Sequence, residues 1–316
     1  MTKDVRVVTL TMNPALDLST TVAEIVPFKK LRCTTVRRDP GGGGINVARV
    51  VRRLGGHGAA IFPVGGPAGE ALAELVAAEG VESVTVPIAA DTREDFTVFE
   101  TGSGKQFRFV APGPVLGESE WQRCCEAFFA AAAGADFAVV SGSLPPGMTD
   151  AFFGEIARRA REANIRLVLD TTGAGLKAGL AEGLYLAKPN QGEFAELMGV
   201  ETGDMAAMAE AARRLVGEGR VEAVALTLAE SGALLVTREL CLKARAPQVV
   251  AVSTVGAGDS FLGAMVWALA AGRDWTAAFR LGVAAGSAAL LSTGTDLAHP
   301  EAIHRLEAEV RVETCL

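Results

Sequence analysis

The stretch VVAVSTVGAGDSFLGAMVWALAAG, residues 249–272, decides how this chain is read. An apolar, strand-like run ends at Thr254-Val255, and Gly256-Ala257-Gly258-Asp259 then opens a strongly apolar helix. Glycines let a backbone approach an anion with no Cβ in the way. The first N–H groups of a helix lack internal partners and sit at its positive end, so the turn reads as an anion site. Asp259 admits two readings. It caps the helix, or it takes a proton from a substrate hydroxyl while the amides of Gly256, Ala257 and Gly258 stabilise charge on a phosphoryl group in transfer. A cap alone requires no Gly-Ala-Gly before it, which favours the second reading.

Outward from that turn, short apolar runs alternate with helical patterns. VRVVTLTM (5–12), GAAIFPVGG (58–66), DFAVVSGS (136–143), IRLVLD (165–170), LYLAKPN (184–190) and VEAVALTL (221–228) read as buried strands. INVARVVRRLG, EALAELVAAEG and FFGEIARRAREAN carry the 3.6-residue period of helices. The alternation predicts an α/β fold whose mostly parallel sheet is covered on both faces. Two segments break the pattern: a polar, basic one at about 16–39, and FTVFETGSGKQFRFV (96–110), whose TGSGK separates two alternating runs as in a hairpin. Strand-like insertions of this kind pair into a small sheet able to cover a site at the strand carboxyl ends. With no repeat or linker, residues 1–316 read as one domain, with lid segments at about 16–39 and 92–111.

Composition narrows the classes. Over 316 residues, 49% hydrophobic, the chain can bury a large core, and its net charge of −7 speaks against general nucleic-acid affinity. Five cysteines (Cys33, Cys124, Cys125, Cys241 and Cys315) include no C-x-x-C, and three scattered histidines suggest no zinc site. Free thiols in a reducing compartment are expected. The N-terminus has no signal-peptide pattern, and apolar runs such as 261–272 fall short of the ~18 residues a membrane span needs. The expectation is a cytoplasmic protein.

Two further motifs bear on phosphate chemistry. PGGGGINVARVVRRLGG (40–56) places four glycines ahead of a helix; it reads equally as a tight corner or as a close approach to ligand beside Asn46. In KPNQGEFAELMG (188–199), Lys188, Asn190 and Glu193 fall within one turn. Asn-x-x-Glu is a capping pattern, or a pair organising hydrated Mg²⁺, which keeps several waters and few protein ligands. No G-x-x-x-x-G-K-[ST] occurs, and no G-x-G-x-x-G opens a helix after a strand, which argues against a P-loop or dinucleotide fold.

Taken together and in this order, STVGAGDSF, GGGGINVARVVRRLGG and KPNQGE resemble the signatures of the PfkB (ribokinase-like) carbohydrate kinases, and the resemblance runs from TLTMNPALD (9–17) to GVAAGSAALLSTGT (282–295). It implies a ribokinase-like three-layer sandwich with a small β-sheet lid, often shared across a homodimer. It implies Asp259 as base, with Gly256, Ala257 and Gly258 as anion hole. Glu193 and Asn190 would act with Mg²⁺, and ATP would lie near Lys188, Thr227, Gly232 and Thr254. The family's T-L-G-x-x-G reads TLAESG here, with Ala229 in place of the first glycine. A K⁺ site of the family maps to Ser253, Val255, Ala289, Ser292 and Gly294.

Relatives acting on fructose 1-phosphate or tagatose 6-phosphate resemble a G-G-K-G pattern; here the third position is Gly43. That, with KLRCT (30–34), QFRFVAPG (106–113) and SGSLPPG (141–147), resembles the 6-phosphofructokinase branch. The resemblance implies that Asp17, Gly42, Gly43 and Asn46 hold sugar hydroxyls. Lys30, Arg93, Arg108 and Ser143 would hold the sugar's own phosphate, some of them reaching from a partner's lid, with Arg32 a weaker candidate. Arginine forks and lysines suit phosphate oxygens. Lys29, Arg37 and Arg38 read as a solvated edge, and Asp170 as either a cap or part of the substrate or metal-water network. The rival readings are a kinase for fructose 1-phosphate or tagatose 6-phosphate, a nucleoside or free-sugar kinase, and a non-catalytic sugar-phosphate sensor.

Overall fold

The structure, a computed structural model, describes residues 3–34 and 36–315. Its strands are β1 (Arg6–Leu10), β2 (Ala15–Val22), β3 (Val36–Gly41), β4 (His57–Val64), β5 (Glu82–Pro87), β6 (Arg93–Glu100), β7 (Lys105–Phe109), β8 (Phe137–Ser141), β9 (Leu167–Asp170), β10 (Leu184–Ala187), β11 (Val221–Thr227), β12 (Ala233–Thr237), β13 (Cys241–Arg245) and β14 (Arg311–Thr314). The helices are α1 (Gly43–Arg53), α2 (Gly66–Ala78), α3 (Glu118–Ala132), α4 (Ala151–Glu162), α5 (Gly173–Glu182), α6 (Gln191–Met198), α7 (Met205–Gly217), α8 (Ala257–Ala270), α9 (Trp275–Ala289) and α10 (Pro300–Glu307).

Ten strands form one sheet in the order β14-β13-β12-β11-β10-β9-β8-β1-β4-β5. From β11 to β5 every pairing is parallel, whereas β12, β13 and β14 run antiparallel at one edge. Side chains alternate between two cores, as a strand's two-residue period demands. Phe137 and Val139 enter the core built with α1, α8, α9 and α10, while Ala138 and Val140 enter the one built with α3, α4 and α7. This is the expected α/β sandwich. All six strands expected in the sheet from apolar runs are present.

The run 249–254 is not a strand. Its Val252 N–H donates to Leu290 O, at the end of α9, at 2.7 Å, and Val250 is 87% exposed. The segment instead forms one wall of a cavity.

The two irregular insertions pair into a separate four-stranded sheet, β3-β2-β6-β7. Register sorts its faces. Asp17 stands opposite both Asp39 and Asp95, and Thr97 opposite Arg108, on one face; Leu18, Phe96 and Phe109 lie on the other. One face carries the Asp17, Asp39, Asp95 and Arg108 cluster; the other carries an apolar patch centred on Leu18, Phe96 and Phe109. Arg37, read from sequence as a solvated edge, donates to Asp39 at 2.8 Å and reaches Asp296 at 3.7 Å, tying this sheet to the loop before α10.

Candidate active site

The parallel strands deliver the chemistry at their carboxyl ends, where open α/β sheets bind ligands. Asn13 follows β1, Ser141 ends β8, Asp170 ends β9, and Lys188 follows β10. Two cavities lie along this edge. One, of about 730 Å³, is lined by Asn190, Thr227, Gly232, Thr254, Ala257 and Gly258 among others. The second, of about 360 Å³, is lined by Asp17, Gly42, Gly43, Asn46, Arg93, Arg108, Ser143, Gly256 and Asp259, together with Val255 and Thr254. The turn Gly256–Asp259 is the partition between them. Ala257 and Gly258 face the larger cavity, Gly256 and Asp259 the smaller, and Thr254 borders both.

The turn's shape follows from its glycines. Gly256 precedes α8 with φ of 74°, a left-handed conformation open to glycine, and a Cβ there would run into Leu297. Asp259 sits in the first turn of α8, and its carboxyl makes no cap to the preceding backbone; instead Asn46 Nδ2 donates to its Oδ2 at 2.8 Å. This contact needs α1 and α8 to lie close. Gly263, one turn along from Asp259, permits it: a Cβ there would sit 2.8 Å from Val50 Cβ. Burial pushes the Asp259 carboxyl up to about 6, with Asp170 adding repulsion, against the opposing pull of Asn46, Lys188 and Arg49. A carboxylate held near neutrality and ionised at pH 7 is suited to general-base work.

Asp170, for which the sequence left two readings, is no cap. Its Oδ1 pairs with Lys188 Nζ at 3.0 Å and its Oδ2 accepts from Ser141 Oγ at 3.1 Å. Lys188 is buried, yet its ammonium is held above its usual range because the carboxylates of Asp170, Asp259 and Glu193 outweigh desolvation, the largest single influence. The Ser141 hydroxyl also fills the place where a side chain at 43 would begin, so Gly43 must be glycine while Ser141 stays where it is.

On the side of the small sheet, Asp17 is pushed up to about 7, first by burial and then by Asp95, against Arg108 and Arg93. Like charges directly opposite in a sheet repel; here a cluster of arginines answers them. Arg93 pairs with Asp95 at 3.1 Å and donates to Asn13 O and Ala111 O, so it anchors the sheet as well as facing the cavity. Ser143 accepts from Asn13 Nδ2 at 3.3 Å. Lys30 is exposed on the loop after β2 and lines neither cavity of its own chain, and Arg32 is exposed there too.

Asn190 lines the larger cavity, while Glu193, which lines neither cavity, forms a reciprocal cap with it on α6. Asn190 N–H donates to Glu193 Oε2 at 2.8 Å, and Glu193 N–H donates to Asn190 Oδ1 at 2.9 Å. The capping arrangement of this motif is therefore present in the structure. Desolvation raises the Glu193 carboxyl above its ordinary range. Ala229, which replaces the family's glycine, takes φ of 50°, so the chain keeps a left-handed backbone there without glycine. Gly232 has φ of 99° and abuts the Ala244 carbonyl, leaving no room for a side chain. Of the residues mapped to a K⁺ site, Ser253 Oγ donates to Gly294 O and accepts from Val255 N–H, both at 3.2 Å, and Ser292 N–H donates to Ala289 O at 3.1 Å. The donors are hydroxyl and carbonyl oxygens, a set that suits a hard cation.

Sequence reading passed over Asp95, Ser141, Thr171, Thr172 and Arg49. Asp95 was discoverable, as the residue of the second insertion that alternates in phase with Arg93; the others required the strand ends and helix faces to be seen together.

The chain as a whole is similar to known proteins. The pattern of the pfkB family carbohydrate kinases matches residues 3–302. The ATP-dependent 6-phosphofructokinase isozyme 2 of Mycobacterium tuberculosis (strain ATCC 25618 / H37Rv) is 43% identical over 300 residues, covering 95% of this chain and 88% of the relative. Its namesake from Escherichia coli (strain K12) is 43% identical over 294 residues, 93% of this chain and 95% of the relative. The crystal structure of Phosphofructokinase-2 from Escherichia coli in complex with substrates and products superposes with a TM-score of 0.92 at 42% identity, covering 96% of this chain and 99% of that one. The E. coli protein has also been solved with potassium, with fructose-6-phosphate, and as a tetrameric inhibited form. With its signature turn set between two cavities, this chain belongs to the pfkB family of carbohydrate kinases.

Proposed function

We propose that the chain transfers the γ-phosphoryl group of ATP to the 1-hydroxyl of fructose 6-phosphate, giving fructose 1,6-bisphosphate and ADP. One observation carries the reading: the Gly256–Asp259 turn divides the two cavities, with Ala257 and Gly258 on the larger one and Gly256 and the Asp259 carboxylate on the smaller. ATP fits the larger cavity, with its terminal phosphate toward Ala257 and Gly258; the hexose fits the smaller. The hydroxyl oxygen attacks phosphorus as the bond to the β–γ bridging oxygen breaks, and Asp259 takes the hydroxyl proton. The N-terminal amides of α8 hold the charge that spreads over the equatorial oxygens. Lys188, pinned by Asp170 beneath this turn, adds a fixed positive charge.

Asp17, Gly42, Gly43 and Asn46 hold the sugar ring; Arg93, Arg108 and Ser143 hold its phosphate. Asn190, on the wall of the larger cavity, and Glu193, capped against it, offer oxygen donors that suit a Mg²⁺ ion kept largely by water and phosphate. When bound, that ion neutralises charge on the triphosphate. The oxygens around Ser253 and Gly294 suit K⁺.

Two copies paired through the apolar patch of the small sheet form the working unit. Phe96 and Phe109, opposite each other on that face, are 46% and 59% exposed, more than a solvated edge needs. Lys30 then reaches the partner's smaller cavity. A cytoplasmic setting suits the substrates and the five free thiols.

The assay is ADP release with ATP and Mg²⁺, comparing fructose 6-phosphate, fructose 1-phosphate, tagatose 6-phosphate and ribose by kcat/KM. Fructose 6-phosphate is expected to lead. Faster turnover of fructose 1-phosphate would reject the substrate assignment, and no turnover of any of them, with tight binding of one, would favour a sensor.

A further inference from the structure

Arg49 is 1% exposed, and every face of its guanidinium is used. Nε donates to Glu79 Oε1 at 2.8 Å. Nη1 donates to Asn46 Oδ1 at 3.0 Å, Pro40 O at 3.1 Å and Thr295 O at 3.2 Å. Pro40 is the penultimate residue of the small sheet's β3, and Thr295 follows directly on Gly294. A buried arginine with this many partners is costly to place, which prompts the question of what it does for the site.

We infer that Arg49 is a positioning residue for the catalytic base, acting by fixing which way round the Asn46 amide lies. The logic is one of donors and acceptors. Arginine can only donate, so the Asn46 atom facing it must be the carbonyl oxygen. The Asn46 NH₂ group is thereby turned to Asp259 Oδ2, where it donates at 2.8 Å. With the amide reversed, a carbonyl oxygen would face the carboxylate and repel its ionised form. Arg49 thus keeps one oxygen of Asp259 occupied by a donor and leaves the other to take the substrate proton. The same guanidinium grips the root of the small sheet and the 294–295 loop, so the base, the lid and the loop share one reference point.

The inference rests on Asp259 being the base, and the experiment separates the two. Besides Arg49, the charged groups facing Asp259 are Asp170 from β9 and Lys188 after β10, with Asp17, Arg93, Asp95 and Arg108 across the smaller cavity. In Arg49→Lys, the short ammonium cannot hold Asn46, Glu79 and both carbonyls at once. Its kcat is expected to fall at least tenfold and the acid limb of the kcat profile to move to higher pH. The direction follows because Asn46 donation lowers the carboxyl pKa, so weakening it raises that pKa. KM for ATP is expected to stay within twofold. Asn46→Ala should move the limb the same way, and adding Arg49→Lys to it should change the limb no further, since both act through one contact. Glu79→Gln, which loosens the other side of the fork, should shift it in the same sense by less and serves if Arg49→Lys does not fold. A folded Arg49→Lys enzyme with the parent pH profile overturns the inference, as does full additivity with Asn46→Ala. A fully active Asp259→Asn enzyme would instead remove the reading on which the inference rests.

Discussion

Asp259→Asn is expected to lower kcat by ~10² or more, the usual contribution of a positioned general base, while KM for ATP changes little. Asparagine has nearly the same shape and can still meet Asn46, so the fold should persist and the loss should be in turnover. The pH profile gives a second check. The parent carboxyl, held near 6, must be ionised to act, so turnover should fall as pH drops through that value. In the variant this limb should vanish and the residual rate be flat there. Turnover within a few-fold of the parent would reduce the residue to packing at the start of α8.

Arg108→Ala is expected to raise KM for the phosphorylated sugar about 10- to 100-fold and leave KM for ATP within twofold. A hydrogen bond to a charged group contributes about 1.5–3 kcal/mol, and 1.4 kcal/mol is a factor of ten. Arg108 is exposed, lines only the smaller cavity, and has no ion pair within its chain among the described residues. Its removal should therefore cost binding and not stability. Arg93→Ala makes the contrast, since Arg93 also ties Asn13 and Ala111 and should lower the melting temperature too. Loss of Arg108 also removes one of the charges that holds down the Asp17 carboxyl, so sugar binding through ionised Asp17 should need a pH further above 7. Equal effects on both substrates would assign Arg108 to lid structure.

Much of this was legible because the signals are local. Apolar runs of four to eight residues marked the parallel strands, and the hairpin at 96–110 announced itself through alternation and a glycine-rich loop. The Gly256–Asp259 turn was readable from helix-start chemistry alone. What escaped depends on distant parts of the chain. The run 249–254 has strand composition, but whether it pairs is decided by free sheet edges, which no local window contains. The antiparallel β12–β14 edge uses a segment from the far C-terminus. Asp170 could be told from a cap only once Lys188 and Ser141 stood beside it. Arg49 looked like one more basic residue on a helix, and its burial is a fact about α1 meeting three other segments.

The bare backbone of Gly263 has a consequence for how this protein tolerates change. The spacing of α1 and α8 fixes the gap between an amide and a carboxylate a single turn away. A methyl group introduced there touches neither cavity, yet it would widen that gap by forcing Val50 aside. Gly263→Ala should thus lose turnover well before it loses ligand affinity, making interior packing a gauge of proton transfer.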